Sequence, residues 1–133
     1  MTKASKARQL SITLDNKVGL LADVTGAVAA AKVNVTAMCA YEMDKKGTFW
    51  LMTDGNAKAK KALIKLGGQV GEDDVVLVEM PDKAGELKKV ADKVAAAGID
   101  VHYMYATAGS KTRTICVLCT DNDKKTIAAI NKR

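Results

Sequence analysis

The chain has 133 residues, a formal net charge of +6 and 48% hydrophobic residues, of which few are aromatic. No apolar run reaches the ~18–20 residues of a membrane span, and the basic Met1–Arg8 stretch lacks the apolar segment of a signal peptide. Three cysteines, an odd number, argue against a secreted disulfide framework, so a cytosolic chain is expected.

In chain order, Gln9 to Leu14 alternates, with Leu10, Ile12 and Leu14 on one face, and reads as a strand. A turn at Asp15–Lys17 follows. Leu20, Leu21, Val24, Ala27, Val28 and Ala31 then recur at helical spacing. Val33 to Met43 returns to period two, placing Val33, Val35, Ala37, Cys39 and Tyr41 on the core face. Asp44-Lys45-Lys46-Gly47 reads as a hairpin turn with Gly47 supplying positive φ. Thr48 to Thr53 is a further strand, Ala57 to Leu66 a second helix stopped by Gly67-Gly68. Val70 opens a last strand.

The same order then begins again. Val75 to Met80 is a strand, Gly85 to Ala97 a helix stopped by Gly98, and Ile99, Val101, Tyr103 and Tyr105 line one face of the next strand. Thr112 to Leu118 is a third strand and Lys124 to Asn131 a second helix. Residue identities repeat with the order. Asn16-Lys17-Val18-Gly19-Leu20-Leu21 is echoed by Asp82-Lys83-Ala84-Gly85-Glu86-Leu87, Val33-Asn34-Val35 by Ile99-Asp100-Val101, and Leu51-Met52-Thr53-Asp54 by Leu118-Cys119-Thr120-Asp121. Met38 and Met104 match as well, and their offset from the expected core face suggests a sheet surface used for dimerisation.

Internal repetition of this kind fixes the architecture. The expected fold is α+β: two ferredoxin-like βαββαβ modules in tandem, residues 1–72 and 73–133, each an antiparallel sheet with helices on one face. The second module lacks its last strand. Either an outside strand fills the vacancy, the basic N-terminal segment being one candidate, or the edge stays open.

On these residues the chain resembles the ACT domains, small ferredoxin-like modules that sense amino acids. The resemblance spans Arg8 to Asn131 and implies a free-standing, non-enzymatic regulatory protein that needs no cofactor. It also implies that a free amino acid lies between paired modules, against the loop before the first helix and the start of the second strand. Carried onto this sequence, those positions are Asn16, Val18, Gly19, Leu20, Asn34 and Val35. In the second copy they are Asp82, Ala84, Gly85, Asp100 and Val101. The residue types suit the task. A glycine lets a ligand approach the main chain, free N–H groups at a helix start attract a carboxylate, and asparagine offers donors and acceptors to a zwitterion. Glycine is equally suited to a strand-to-helix turn, and Asn and Asp to caps and turns. Because the second copy carries Asp at both polar positions, the two sites are expected to differ, or only one to bind. Modules of this kind commonly pair through their sheets, so a homodimer or higher oligomer is expected.

Other functions have weaker support. RNA recognition motifs share the element order, and Lys46-Gly47-Thr48-Phe49-Trp50 faintly resembles their aromatic strand. Yet Thr48 holds an aromatic position, Lys111-Thr112-Arg113-Thr114-Ile115 has no aromatic at all, and Phe49 or Trp50 reads as core. The lysines of Lys58–Lys65 and Lys124–Arg133 alternate with apolar positions and read as solvated helix faces. Nucleic-acid binding is therefore the alternative, not the first reading. Cys116 and Cys119, three apart on a strand, point to opposite faces and do not form half of a metal site. Cys39 has no nearby histidine, so no catalytic nucleophile is expected.

Overall fold

The computed structural model describes residues 1–109 and 112–133. Of the stretch compared with an RNA-binding strand, Lys111 lies outside these. The fold is α+β, with six antiparallel strands and four helices. They are β1 (Lys3–Asp15), α1 (Leu20–Ala30), β2 (Val35–Met43), β3 (Lys46–Thr53), α2 (Asn56–Ile64), β4 (Gln69–Pro81), α3 (Glu86–Ala96), β5 (Val101–Ala108), β6 (Arg113–Thr120) and α4 (Asp123–Asn131). The chain divides into two compact units, one of residues Arg8–Asp73 and one of Met1–Ala7 with Asp74–Arg133.

In the Arg8–Asp73 unit the strands run in the order β2-β3-β1-β4. Leu10, Ile12, Phe49 and Leu51 of the strands meet Leu20, Val24 and Val28 of α1 and Ala59 and Leu63 of α2 in one buried cluster. Both helices therefore cover the same face of the sheet. Burying each Leu or Val there contributes roughly 1.5–3 kcal/mol.

The other unit repeats this core with matched positions: Val76, Val78, Cys116 and Leu118 against Val90, Val94 and Ile130. Thr126 stands where the first copy has Ala59, and is fully buried. Its hydroxyl donates to the Asn122 carbonyl at 2.8 Å and meets the Thr120 hydroxyl at 3.0 Å, so the exchange leaves no polar atom unpaired. Lys93 closes the end of α4 by donating to the carbonyls of Ile130 and Lys132, at 3.0 and 2.9 Å.

The vacancy left by the second module is filled. Strand order in this unit is β1-β4-β6-β5, so Lys3–Ala7, the first part of β1, takes the place of a fourth strand. Ala4 is buried in the cluster with Val76 and Val78. The N-terminal segment thus groups with the second copy rather than with residues 8–72. Likewise the strands expected near Val70 and Val75 are one 13-residue strand, β4.

Several local expectations are corrected. At the β2–β3 hairpin the positive-φ residues are Asp44 (φ 53) and Lys45 (φ 65), with Met43 paired to Lys46. Gly47 lies inside β3 instead. A two-residue loop with both central residues at positive φ matches the twist of its strands.

The face of β2 also differs. The β2–β3 register slips between Val35 and Ala37, so Met38 stands opposite Leu51 and Ala40 opposite Phe49, both core residues. Directly opposed residues share a face. Met38 therefore packs against the core, while Cys39 and Tyr41 turn to the helix-free face, opposite Trp50 and Thr48. Trp50 is half-buried there, edge-on to Tyr41 at 5.5 Å and 76°, and only Phe49 is core.

The second copy repeats the irregularity between Val101 and Tyr103. Val101 and Met104 share the face of Thr120 and Leu118, whereas Tyr103 and Tyr105 turn away with Cys119 and Val117. Neither methionine pads the helix-free surface as expected.

Candidate functional site

The loop that ends β1 is shaped by its own backbone. The Asn16 N–H donates to the Lys45 carbonyl at 2.9 Å, and the Leu20 N–H turns back to the Lys17 carbonyl at 3.2 Å. Gly19 sits at φ 90, ψ 0, immediately before α1, and its carbonyl accepts the Asp23 N–H at 3.0 Å. A left-handed residue here costs a Cβ-bearing side chain roughly 1–2 kcal/mol. No side chain caps the helix. Val18 at 104% and Leu21 at 57% are exposed at the loop tip, an unusual place for apolar side chains to stand together.

The second copy repeats the design with different chemistry. Gly85 has φ 89, and its carbonyl accepts the Lys89 N–H at 3.1 Å. The Asp82 N–H donates to the Thr112 carbonyl at 2.8 Å, and the Asp82 carboxylate accepts the Thr114 hydroxyl at 3.1 Å. Ala84 stands where Val18 does and is likewise exposed.

The remaining expected residues lie at the opposite end of each sheet. The Asn34 N–H donates to Asp54 Oδ1 at 2.9 Å, and the Asp54 N–H returns to the Asn34 carbonyl at 3.1 Å. In the second copy Asp100 and Asp121 exchange the same pair at 3.3 and 3.2 Å. Asp100 also approaches His102 Nδ1 at 3.6 Å. Val35 and Val101 follow at the strand starts, Val35 against the core and Val101 exposed. Asn16, Gly19 and Leu20 are thus together, and so are Asn34 and Val35. The two groups are separated by the length of β2, about 30 Å for its nine residues. No single unit brings them to one place.

Two clefts flank the first loop. One, of about 280 Å³, is lined by Asn16, Gly19, Leu20, Tyr41, Gly47 and Phe49 among others. The other, of about 640 Å³, lies between the loop and Leu66–Gln69, which follow α2. Its walls carry Lys17 paired with Asp23 at 3.0 Å, and Lys46 paired with Asp15. The hydrogen bond and charge of Lys46 hold the Asp15 carboxyl below its usual pKa. Sequence reasoning missed Lys17, Lys46, Tyr41 and Gly47. Lys46, Tyr41 and Gly47 become neighbours of the loop only through the β1–β3 and β2–β3 registers, and their residue types carry no signal of that, whereas Lys17 lies within the loop itself. Among the described residues no group of three or more His, Cys, Asp or Glu could hold a metal ion, and no helix is long and apolar enough to cross a membrane.

Comparison with known proteins agrees with the repeat. The family model described as ACT domain pair matches residues 5–133. The chain is similar to protein BT0572 from Bacteroides thetaiotaomicron, at 34% identity and a TM-score of 0.87, over 95% of this chain and 87% of that one. It shares its fold with the regulatory subunit of aspartate kinase from Thermus thermophilus in a ligand-free form, at 17% identity and a TM-score of 0.69, over 97% and 93% of the two chains. The corresponding subunit from Thermus flavus aligns at 17% identity and 0.67, over 97% and 94%. No curated protein sequence matches the chain.

Proposed function

The chain belongs to the ACT domain pair family, and from that premise we propose that it is a non-enzymatic, cytosolic regulatory protein that binds a free amino acid between ACT modules. The observation that carries this reading is the pair of uncapped, glycine-turned helix starts, one per copy, each with an exposed loop tip. The separation of Asn16–Leu20 from Asn34–Val35 fits a ligand gripped by two modules, one contributing the loop and the other the strand start. The fold shared with regulatory subunits of aspartate kinase supports a regulatory role. A ligand held this way favours one arrangement of modules through its differential affinity for the alternatives.

A thermal-shift screen of the full chain against the standard amino acids tests the proposal, because a ligand that binds only the folded state raises stability. One or two amino acids should raise the melting temperature in proportion to the logarithm of their concentration. A flat response to all of them removes the reading.

A second reading is favoured by one observation. Trp50 and Tyr41 lie on the helix-free face of β3 and β2, the face on which RNA recognition motifs stack bases. Single-stranded RNA binding that survives physiological salt and is lost on Trp50→Ala would promote it over amino-acid sensing.

A further inference from the structure

The two copies of the loop differ at one matched pair of positions beneath them. Gly47 stands opposite Leu14 on β1, and Thr114 stands opposite Met80 on β4, which is the repeat of Leu14. A Cβ at Gly47 would lie 2.6 Å from Leu20 Cδ2, 3.5 Å from Phe49 Cε1 and 3.6 Å from Asn16 Oδ1. The missing side chain is therefore what lets Leu20 lie on β3 and leaves the Asn16 carboxamide beside an open cleft. That carboxamide makes no hydrogen bond among the described residues.

In the second copy the same place is occupied. Thr114 brings a side chain up from β6, and its hydroxyl donates to Asp82, the counterpart of Asn16. Glu86, in the place of Leu20, is paired with Lys89 at 3.2 Å. An incoming amino acid would have to break the Thr114–Asp82 bond and set its carboxylate beside two acidic groups. Breaking the Thr114–Asp82 bond is a cost the first copy does not carry. The first helix start presents Asn16 and Leu20 where the second copy has Asp82 and Glu86. Glu42, which also lines the first cleft, accepts the Lys45 N–H at 2.9 Å.

We infer that ligand binding is confined to the first copy: the Asn16–Leu20 loop over Gly47 receives the amino acid, and Thr114 closes the second loop by occupying Asp82. This rests on the proposed amino-acid-sensing function and narrows it to one loop of the two. Gly47 and Thr114 are then the residues that set which copy is competent.

Isothermal titration of the full chain with each standard amino acid tests it. For the one that binds, no more than one molecule per chain is expected. Asn16→Asp, an exposed substitution that copies the second loop, should weaken binding by about tenfold or more. Thr114→Ala and Asp82→Asn, which open only the second loop, should leave the affinity of the first-copy site within about twofold of the parent. Two molecules per parent chain, full binding by Asn16→Asp, or loss of binding in either second-copy variant overturns the inference while leaving amino-acid sensing intact. Absence of binding by any amino acid to the parent chain removes the sensing function, and the inference with it.

Discussion

Asn131 grips Ala4 by both ends of its carboxamide: the Ala4 N–H donates to Oδ1 at 2.8 Å, and Nδ2 donates to the Ala4 carbonyl at 2.9 Å. The last residue of α4 thereby satisfies the backbone of a strand 127 positions earlier in the chain. The two bonds lie beside a core cluster that includes Ala4 itself. Asn131→Ala removes both and strands a part-buried N–H and carbonyl. Urea denaturation should show a loss of about 1–3 kcal/mol, with Asn131→Asp intermediate because it retains the acceptor and loses the donor. An unchanged midpoint in Asn131→Ala would mean that Lys3–Ala7 is held without this clasp.

A second prediction comes from comparing the copies at their first helix ends. Gly98 ends α3 at φ 70, and its counterpart Lys32 follows α1 at φ 61. Glycine accepts the left-handed region freely, and lysine does not. Lys32→Gly should raise stability by up to about 1 kcal/mol in equilibrium unfolding, since relief of strain exceeds the added entropy of the unfolded chain.

Much of this was legible in the sequence, because residue identities repeat where the backbone makes identical demands. The glycines at 19 and 85 and the core positions recur in register, whereas the helix stops do not, Lys32 standing where the second copy has Gly98. What escaped was set by pairing. The irregularities around Thr36 and His102 move Cys39, Tyr41, Tyr103 and Tyr105 to the face opposite the one that strict alternation gives. One added residue reverses every side chain beyond it. The reach of β1 back to Lys3 was legible only as one candidate for the vacant strand, because residues 3–7 group with the second copy and their alternation is short. The echo of Thr53-Asp54 in Thr120-Asp121 was visible, yet its purpose, holding the backbone of Asn34 and Asp100, needed coordinates.

Burial pushes the Cys116 thiol up to about 11 from an ordinary value of 9.0. The folded state therefore keeps its proton where the unfolded chain releases it. Stability contributed by the neutral thiol is present below pH 9 and is lost progressively as pH rises toward 11. Cys116→Ala should flatten that decline in urea titrations across this range. At pH 8, a thiol reagent should modify half-buried Cys39 and Cys119 well before Cys116, which needs unfolding to react.

The proposed assembly has its own test. Val18, Leu21, Tyr41 and Met43 are all exposed on the Arg8–Asp73 unit, around the first loop and the end of β2. Apolar side chains grouped in this way mark interaction surfaces, and a second copy of the chain is the expected partner. Light scattering at micromolar concentration should give at least a dimer, and Val18→Glu with Leu21→Glu should return it to monomer with circular dichroism unchanged. A parent chain that stays monomeric throughout argues against a ligand shared between chains.

The last prediction separates ligand binding from architecture at the start of β2. Asn34 is fixed through its backbone, by Asp54, while its side chain makes no hydrogen bond among the described residues. Asp54 is the structural partner. Asp54→Ala should cost about 0.5–1.5 kcal/mol of stability, the net worth of an exposed backbone-to-carboxylate bond, and Asp121→Ala a similar amount in the second copy. Asn34→Ala should leave urea stability within about 0.5 kcal/mol of the parent. If Asn34 also receives the amino acid, the same variant should weaken binding by roughly 1–3 kcal/mol, as expected when a buried ligand group loses its partner. Asp100→Asn, in the copy with the occupied loop, should then leave affinity unchanged. Equal affinity in Asn34→Ala and the parent, with both chains folded, would confine Asn34 to the turn it forms with Asp54 and remove it from the site.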